Sequence, residues 1–197
     1  MAVTADQIKK LRDLTGAGIL DTKRTLEEFN GDFEKALAVL KEKGMKAAAK
    51  KAERVAKQGL VETYLHPGGK VGVMLEVNCE TDFVAATNDF KELTHNLALQ
   101  IAAFKPKYVG ASDIPADVLE AQKQTFADAA LAEGKPANIV ERIVTGKMDA
   151  FLKEACLLNQ PFIRDDKQTI HDLVQTTIAK VGENIIVRRF VRFELGE

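Results

Sequence analysis

The 197-residue chain predicts an α+β fold: a small amino-terminal three-helix bundle, a linker, and a core in which helices cover a three-stranded antiparallel sheet. Three observations carry this. Apolar residues recur at helical spacing through most of the chain, with capping residues and glycines bounding the runs. Strand-like patterning is confined to two alternating runs around His66-Pro-Gly-Gly-Lys70 and to the stretch from Asn184 to Leu195. Two long helical runs meet at Glu133-Gly134, as in an antiparallel helical hairpin over about residues 113–158.

Thr4-Ala-Asp-Gln7 reads as a capping box, in which threonine and glutamine satisfy each other's backbone N–H groups. Ile8, Leu11 and Leu14 then recur on one face until Gly16 stops the helix. Gly18 opens a second segment with Leu20 and Leu26, closing at Asn30-Gly31. Asp32 caps a third helix, whose Phe33, Ala36, Leu37 and Leu40 fall at i, i+3, i+4 and i+7; Gly44 is its expected left-handed terminator. Residues 1–44 thus read as an independent module of marginal stability. Residues 45–58 follow as a basic helical linker, with Lys46, Lys50, Lys51, Arg54 and Lys57 against Glu53. No aromatic side chain there can stack on a base, so the segment reads as a solvated helix rather than an RNA site.

The core, residues 59–197, begins where the period changes. Leu60 to Leu65 and Val71 to Val77 form a β-hairpin around the Pro-Gly-Gly turn, which leaves His66 an exposed loop residue. From Asn88, Phe90, Leu93, Leu97, Ile101 and Phe104 make an apolar stripe ending before Pro106, suited to cover one sheet face. Ser112-Asp-Ile-Pro115 opens the first arm of the helical hairpin. Lys135-Pro136 opens the second, which carries Ile139, Ile143, Met148 and Phe151. Gln168 to Val181 reads as a helix through Ile170, Leu173, Val174 and Ile178. In the last strand Arg188, Arg189 and Arg192 flank Val187, Phe190 and Val191, so neither face is wholly apolar and the strand is expected at an edge or interface.

Composition narrows the function classes. With 46% hydrophobic and 29% charged residues and a formal net charge of −1, the chain suits a soluble globular protein without a global attraction for polyanions. No direct nucleic-acid partner is expected. The start, Met1-Ala-Val-Thr-Ala-Asp, lacks a basic-then-apolar leader, and no apolar run reaches bilayer length, so a cytoplasmic protein without membrane contact is expected. Cys79 and Cys156 are too few for a disulfide framework or a metal site.

An enzyme needs a nucleophile, a base or a metal cluster, and Cys79, His66, His95 and His171 form no recognisable constellation. Glu80 and Asp82 beside Cys79 raise a thiol pKa instead of activating it. Gly16 and Gly18 precede Ile19-Leu20-Asp21, without the Lys-Ser/Thr of a phosphate-binding loop. A non-enzyme without a cofactor or metal is expected.

The most informative segment is Asn78-Cys-Glu-Thr-Asp-Phe-Val84, between the second strand and the next helix. Thr81 can cap a helical turn, which places Asp82 and Phe83 in its first turn. Residues so placed either project outward or serve as a dipole-stabilising carboxylate and a core ring.

Thr81-Asp82-Phe83-Val84, preceded by Val77-Asn78-Cys79, resembles the signature of the elongation factor Ts family, nucleotide-exchange factors for elongation factor Tu. Leu11-Arg-Asp-Leu-Thr-Gly-Ala-Gly-Ile-Leu-Asp21 resembles that family's amino-terminal motif, and Val181-Gly-Glu-Asn-Ile-Ile-Val-Arg-Arg189 its carboxyl-side strand motif. The three matches stand in family order and cover most of the chain. The resemblance implies a ubiquitin-associated-like bundle, a protruding helical hairpin, and a short form with a single core subdomain. It implies binding to elongation factor Tu, with Asp82 and Phe83, flanked by Thr81 and Val84, intruding near the partner's switch and magnesium region to promote GDP release. It further implies that Arg12, Ile19 and Leu20 anchor the amino-terminal module; their structural alternative is packing within the bundle. By resemblance to short members, a homodimer through the core sheet is expected. The alternative reading is a translation-associated adaptor or chaperone-like binder without exchange activity.

Overall fold

The computed structural model describes residues 3–197. Met1 and Ala2, which open the stretch read for a leader, lie outside them. The elements run α1 (Ala5–Thr15), α2 (Ile19–Glu28), α3 (Phe33–Ala49), β1 (Gln58–Leu65), β2 (Val71–Cys79), α4 (Asp82–Ala85), α5 (Asn88–Phe104), α6 (Ala116–Ala132), α7 (Ala137–Ala155), β3 (Pro161–Phe162), β4 (Asp165–Thr169), α8 (Ile170–Val181) and β5 (Ile185–Glu194). The architecture is α+β, and β1, β2 and β5 form a three-stranded antiparallel sheet in that order.

At the amino terminus the Thr4–Gln7 capping box opens α1, and Gly16 closes it at φ 67°. Leu11, Leu26, Ala36 and Leu40 form the buried centre of the bundle. Leu14 departs from the expected stripe: half exposed, it lines a cleft with Leu37 and Leu93.

Gly44 does not end α3. The helix continues to Ala49, and a Cβ built on Gly44 would lie 3.2 Å from the Ala179 Cβ, so the glycine serves close approach of α3 to α8. Gly16 makes a second such approach, its built Cβ falling 2.3 Å from the Lys180 Cα. Through these contacts, and with Ala48 in the main core, the bundle is seated on α8 rather than standing alone. The basic segment is correspondingly helical only to Ala49, after which tight turns carry the chain to Arg54.

The sheet's inner face presents Val73, Leu75, Val77 and Val187 to a core closed by Phe90, Leu93, Leu97 and Ile101 of α5 and Ile170, Val174 and Ile178 of α8. β5 resolves its mixed pattern with a bulge. Val77 pairs with Val187 and Glu76 with Arg189, so Arg188 is the extra residue and both Val187 and Phe190 reach the core side.

The α6–α7 hairpin joins the body where Tyr108 bridges Cys156. Behind it, buried Gln100 donates to the Gln160 side chain and the Pro161 carbonyl, each at 3.1 Å, and accepts from the Ile163 N–H at 2.9 Å. The short β3–β4 hairpin had no sequence signal, because its polar Asp165-Asp-Lys-Gln-Thr169 strand does not alternate.

Candidate functional site

β2 ends at Cys79 and α4 begins at Asp82, so the chain turns from strand to helix across Glu80 and Thr81. Thr81 is extended (φ −129°, ψ 156°), and its hydroxyl accepts from the Val84 N–H at 3.4 Å. At the other end the Thr87 hydroxyl donates to the Val84 carbonyl at 2.7 Å and accepts from the Phe90 N–H, which begins α5. One turn held between two threonine caps has room for one inward and one outward face. Val84 and Ala85 take the inward face and join the core; Asp82 is exposed and Phe83 is 81% exposed. An aromatic ring so displayed departs from the usual burial of phenylalanine. Among the sequence-predicted site residues, Val84 is the one placed inside, and Thr81 is half buried.

The tip is also tied to a distant segment. Glu183, in the loop between α8 and β5, accepts from the Thr81 N–H at 2.9 Å and from its hydroxyl at 2.7 Å. In return Glu80 accepts from the Asn184 N–H at 2.7 Å, and the Asn184 side chain donates to the Ala52 and Arg54 carbonyls at 3.2 and 2.8 Å. Arg54 completes the group with an ion pair to Glu80 at 3.7 Å. Neither Glu183 nor Asn184 was singled out from the sequence. The only available signal was their position inside the carboxyl-side motif.

Beneath the tip, the Cys79 thiol donates to the Thr81 carbonyl at 3.0 Å. Burial, then the Glu183 charge, pushes this thiol up, with Asp82 a smaller contributor. The direction matches the sequence expectation, while the main cause is burial. Cys156 is likewise raised by burial.

On the amino-terminal module, Ile19 and Leu20 open α2 and are 56% and 79% exposed; the bundle instead buries Thr22, Thr25 and Leu26. Packing within the bundle therefore does not account for Ile19 and Leu20. Arg12, near the end of α1, is exposed as well. These three residues share the α1–α2 corner, whereas Asp82 and Phe83 stand on α4, so the structure gives two separate surface features on one body.

The remaining titratable candidates stay apart. His66 is exposed beside the Tyr64 hydroxyl, His95 faces Glu62 from α5, and His171 is exposed on α8. Among the described residues no group of three or more His, Cys, Asp or Glu side chains is placed to hold a metal ion, and no helix is long and apolar enough to cross a membrane.

The family description "Elongation factor TS" matches residues 2–197 of the chain. A protein named Elongation factor Ts from Carboxydothermus hydrogenoformans is 55% identical over 195 residues, covering 99% of this chain and 90% of the relative. One of the same name from Thermoanaerobacter sp. is 55% identical over 195 residues, 99% of this chain and 96% of its own. A third, from Coprothermobacter proteolyticus, is 55% identical over 197 residues and the full length of both. The chain belongs to the elongation factor Ts family of translation factors.

Proposed function

We propose that the chain promotes release of GDP from elongation factor Tu, using Asp82 and Phe83 as an intruding tip and Arg12, Ile19 and Leu20 as an anchor. The observation that carries this reading is Phe83, displayed on a capped single turn whose other face is embedded in the core. Such a tip can enter a partner with little ordering cost, because its backbone is already in place.

No chemical step is needed. A factor that binds the nucleotide-free partner more tightly than the nucleotide-bound one weakens nucleotide binding by the same factor. A thousandfold weakening requires about 4 kcal/mol of differential binding. Burying one phenylalanine contributes about 1.5–3 kcal/mol, so Phe83 needs Asp82 as a second contributor. Contacts at Ile19 and Leu20 that persist in both nucleotide states raise affinity without supplying this difference. Their role is to raise the local concentration of the tip. In this reading the tip displaces elements near the partner's switch and magnesium region, as the family resemblance implies. The protein acts without cofactor, metal or bound nucleotide, in the cytoplasm, and makes no direct contact with nucleic acid.

A second copy of the chain is proposed to cover the outer face of the sheet. Val61, Leu65, Met74 and Phe193 are 63%, 69%, 50% and 72% exposed there, with Arg189 paired to Glu76 among them.

The test is stopped-flow release of a labelled GDP from elongation factor Tu. The proposal expects Phe83→Ala to lower the maximal stimulated rate about 10- to 100-fold, the loss of one buried aromatic contact. If Phe83→Ala and Asp82→Ala both leave stimulated release unchanged, the intrusion mechanism is wrong. Complex formation with unaltered GDP release by the unsubstituted protein would instead support the adaptor reading.

A further inference from the structure

Glu183 lies 102 residues from Thr81 in the chain, yet its carboxylate takes both hydrogen-bond donors of that residue. The consequence is local and directional. A threonine hydroxyl has one hydrogen and two lone pairs. With its hydrogen committed to Glu183 at 2.7 Å, the Thr81 oxygen is left to accept from Val84, the bond that caps α4. The half-buried carboxylate thereby sets the direction of the first turn, and with it the projection of Asp82 and Phe83.

Asn184 carries the same arrangement to the segment that follows the amino-terminal module. It is 2% exposed, and its amide holds the Ala52 and Arg54 carbonyls, in the segment that leads from α3 into β1. The tip and the approach from the amino-terminal module are therefore fastened to one dipeptide.

Resting on the exchange reading above, we infer that Glu183 is a positioning residue for nucleotide exchange: it touches no partner itself and acts by fixing the Thr81 cap that aims Asp82 and Phe83.

The experiment compares Glu183→Ala, Phe83→Ala and the double variant in GDP release across a concentration series of full-length protein. Glu183→Ala is expected to lower the maximal stimulated rate about tenfold, as loss of two charge-assisted hydrogen bonds permits, while half-saturation moves less than about twofold. In the Phe83→Ala background the same change should cost clearly less than in the parent, because only Asp82 is then left to be misaimed. A purely structural role would lower both backgrounds equally, which overturns the inference. A full-rate Glu183→Ala beside an impaired Phe83→Ala overturns the inference alone. A full-rate Phe83→Ala together with full-rate Asp82→Ala overturns the exchange reading and the inference with it. Glu183→Gln, which keeps an acceptor for the Thr81 N–H, guards against a folding defect. In that variant the Val84 amide should exchange hydrogen faster than in the parent while core amides of α5 stay protected, and unchanged Val84 exchange would also overturn the inference.

Discussion

Phe83 stands where a residue can serve binding while mattering little to folding. With 81% of its surface exposed, it contributes almost nothing to the core. Phe83→Ala should leave the unfolding free energy within about 0.5 kcal/mol of the parent, checked by urea unfolding, while GDP release is impaired as proposed. Its neighbour behaves oppositely: Val84 is 9% exposed and packs in the main cluster, so Val84→Ala should cost about 1–3 kcal/mol of stability. The sequence named both as contact residues by motif. One helical turn separates their roles, because its two faces meet different surroundings. The direction of each side chain was not readable from the tetrapeptide alone.

At the scale of elements, glycines decide how the amino-terminal module meets the body. Gly16 combines a left-handed φ of 67° with a built Cβ 2.3 Å from the Lys180 backbone, so any side chain suffers twice. Gly16→Ala should destabilise the protein by about 1 kcal/mol or more from the φ alone, measured by urea unfolding. It should also raise the half-saturating concentration in GDP release more than it lowers the maximal rate, since the anchor is displaced and the tip is not. Gly44 was legible as punctuation and illegible as contact. In a sequence, a glycine after an apolar run reads as a stop; here α3 runs through it to Ala49, and the glycine sits where a Cβ would crowd Ala179 at 3.2 Å. The strand pair around Pro67, the caps at Thr4, Asp32 and Thr81, and the helical hairpin were all readable, since each depends on neighbours within a few residues. The β3–β4 hairpin was not, because it is held by long-range bonds such as Gln100 to the Ile163 N–H.

Across the whole molecule, a charge cluster closes the end of β5 against α5. Lys105 and Arg192 both pair with Glu194, and the largely buried Arg192 guanidinium also donates to the Ala102 carbonyl and to Glu197. These cations hold the Glu194 carboxyl down at about 2, against an ordinary value of 4.5. A carboxylate depressed on folding contributes stability that is complete above its unfolded value and lost as pH falls to its folded one. Urea midpoints should therefore decline between 4.5 and about 2, and Glu194→Gln should flatten that part of the profile. The proposed dimer belongs to the same scale. Light scattering should give the mass of two chains, and Phe193→Asp on the outer sheet face should shift it toward one. A monomer at working concentrations would remove the dimer from the mechanism.

The sequence by itself determined the fold class, most element boundaries, the family and the location of the Thr81-Asp82-Phe83 tip, because periodicity, capping and motif order are local properties of the chain. Only the tertiary structure decided that Val84 turns inward, that Ile19 and Leu20 stay outside, that the bundle rests on α8 through two glycines, and that Glu183 holds the tip. The reason is distance along the chain: a carboxylate 102 residues from the hydroxyl it orients leaves no pattern in either segment, and only folding brings the two within 2.7 Å.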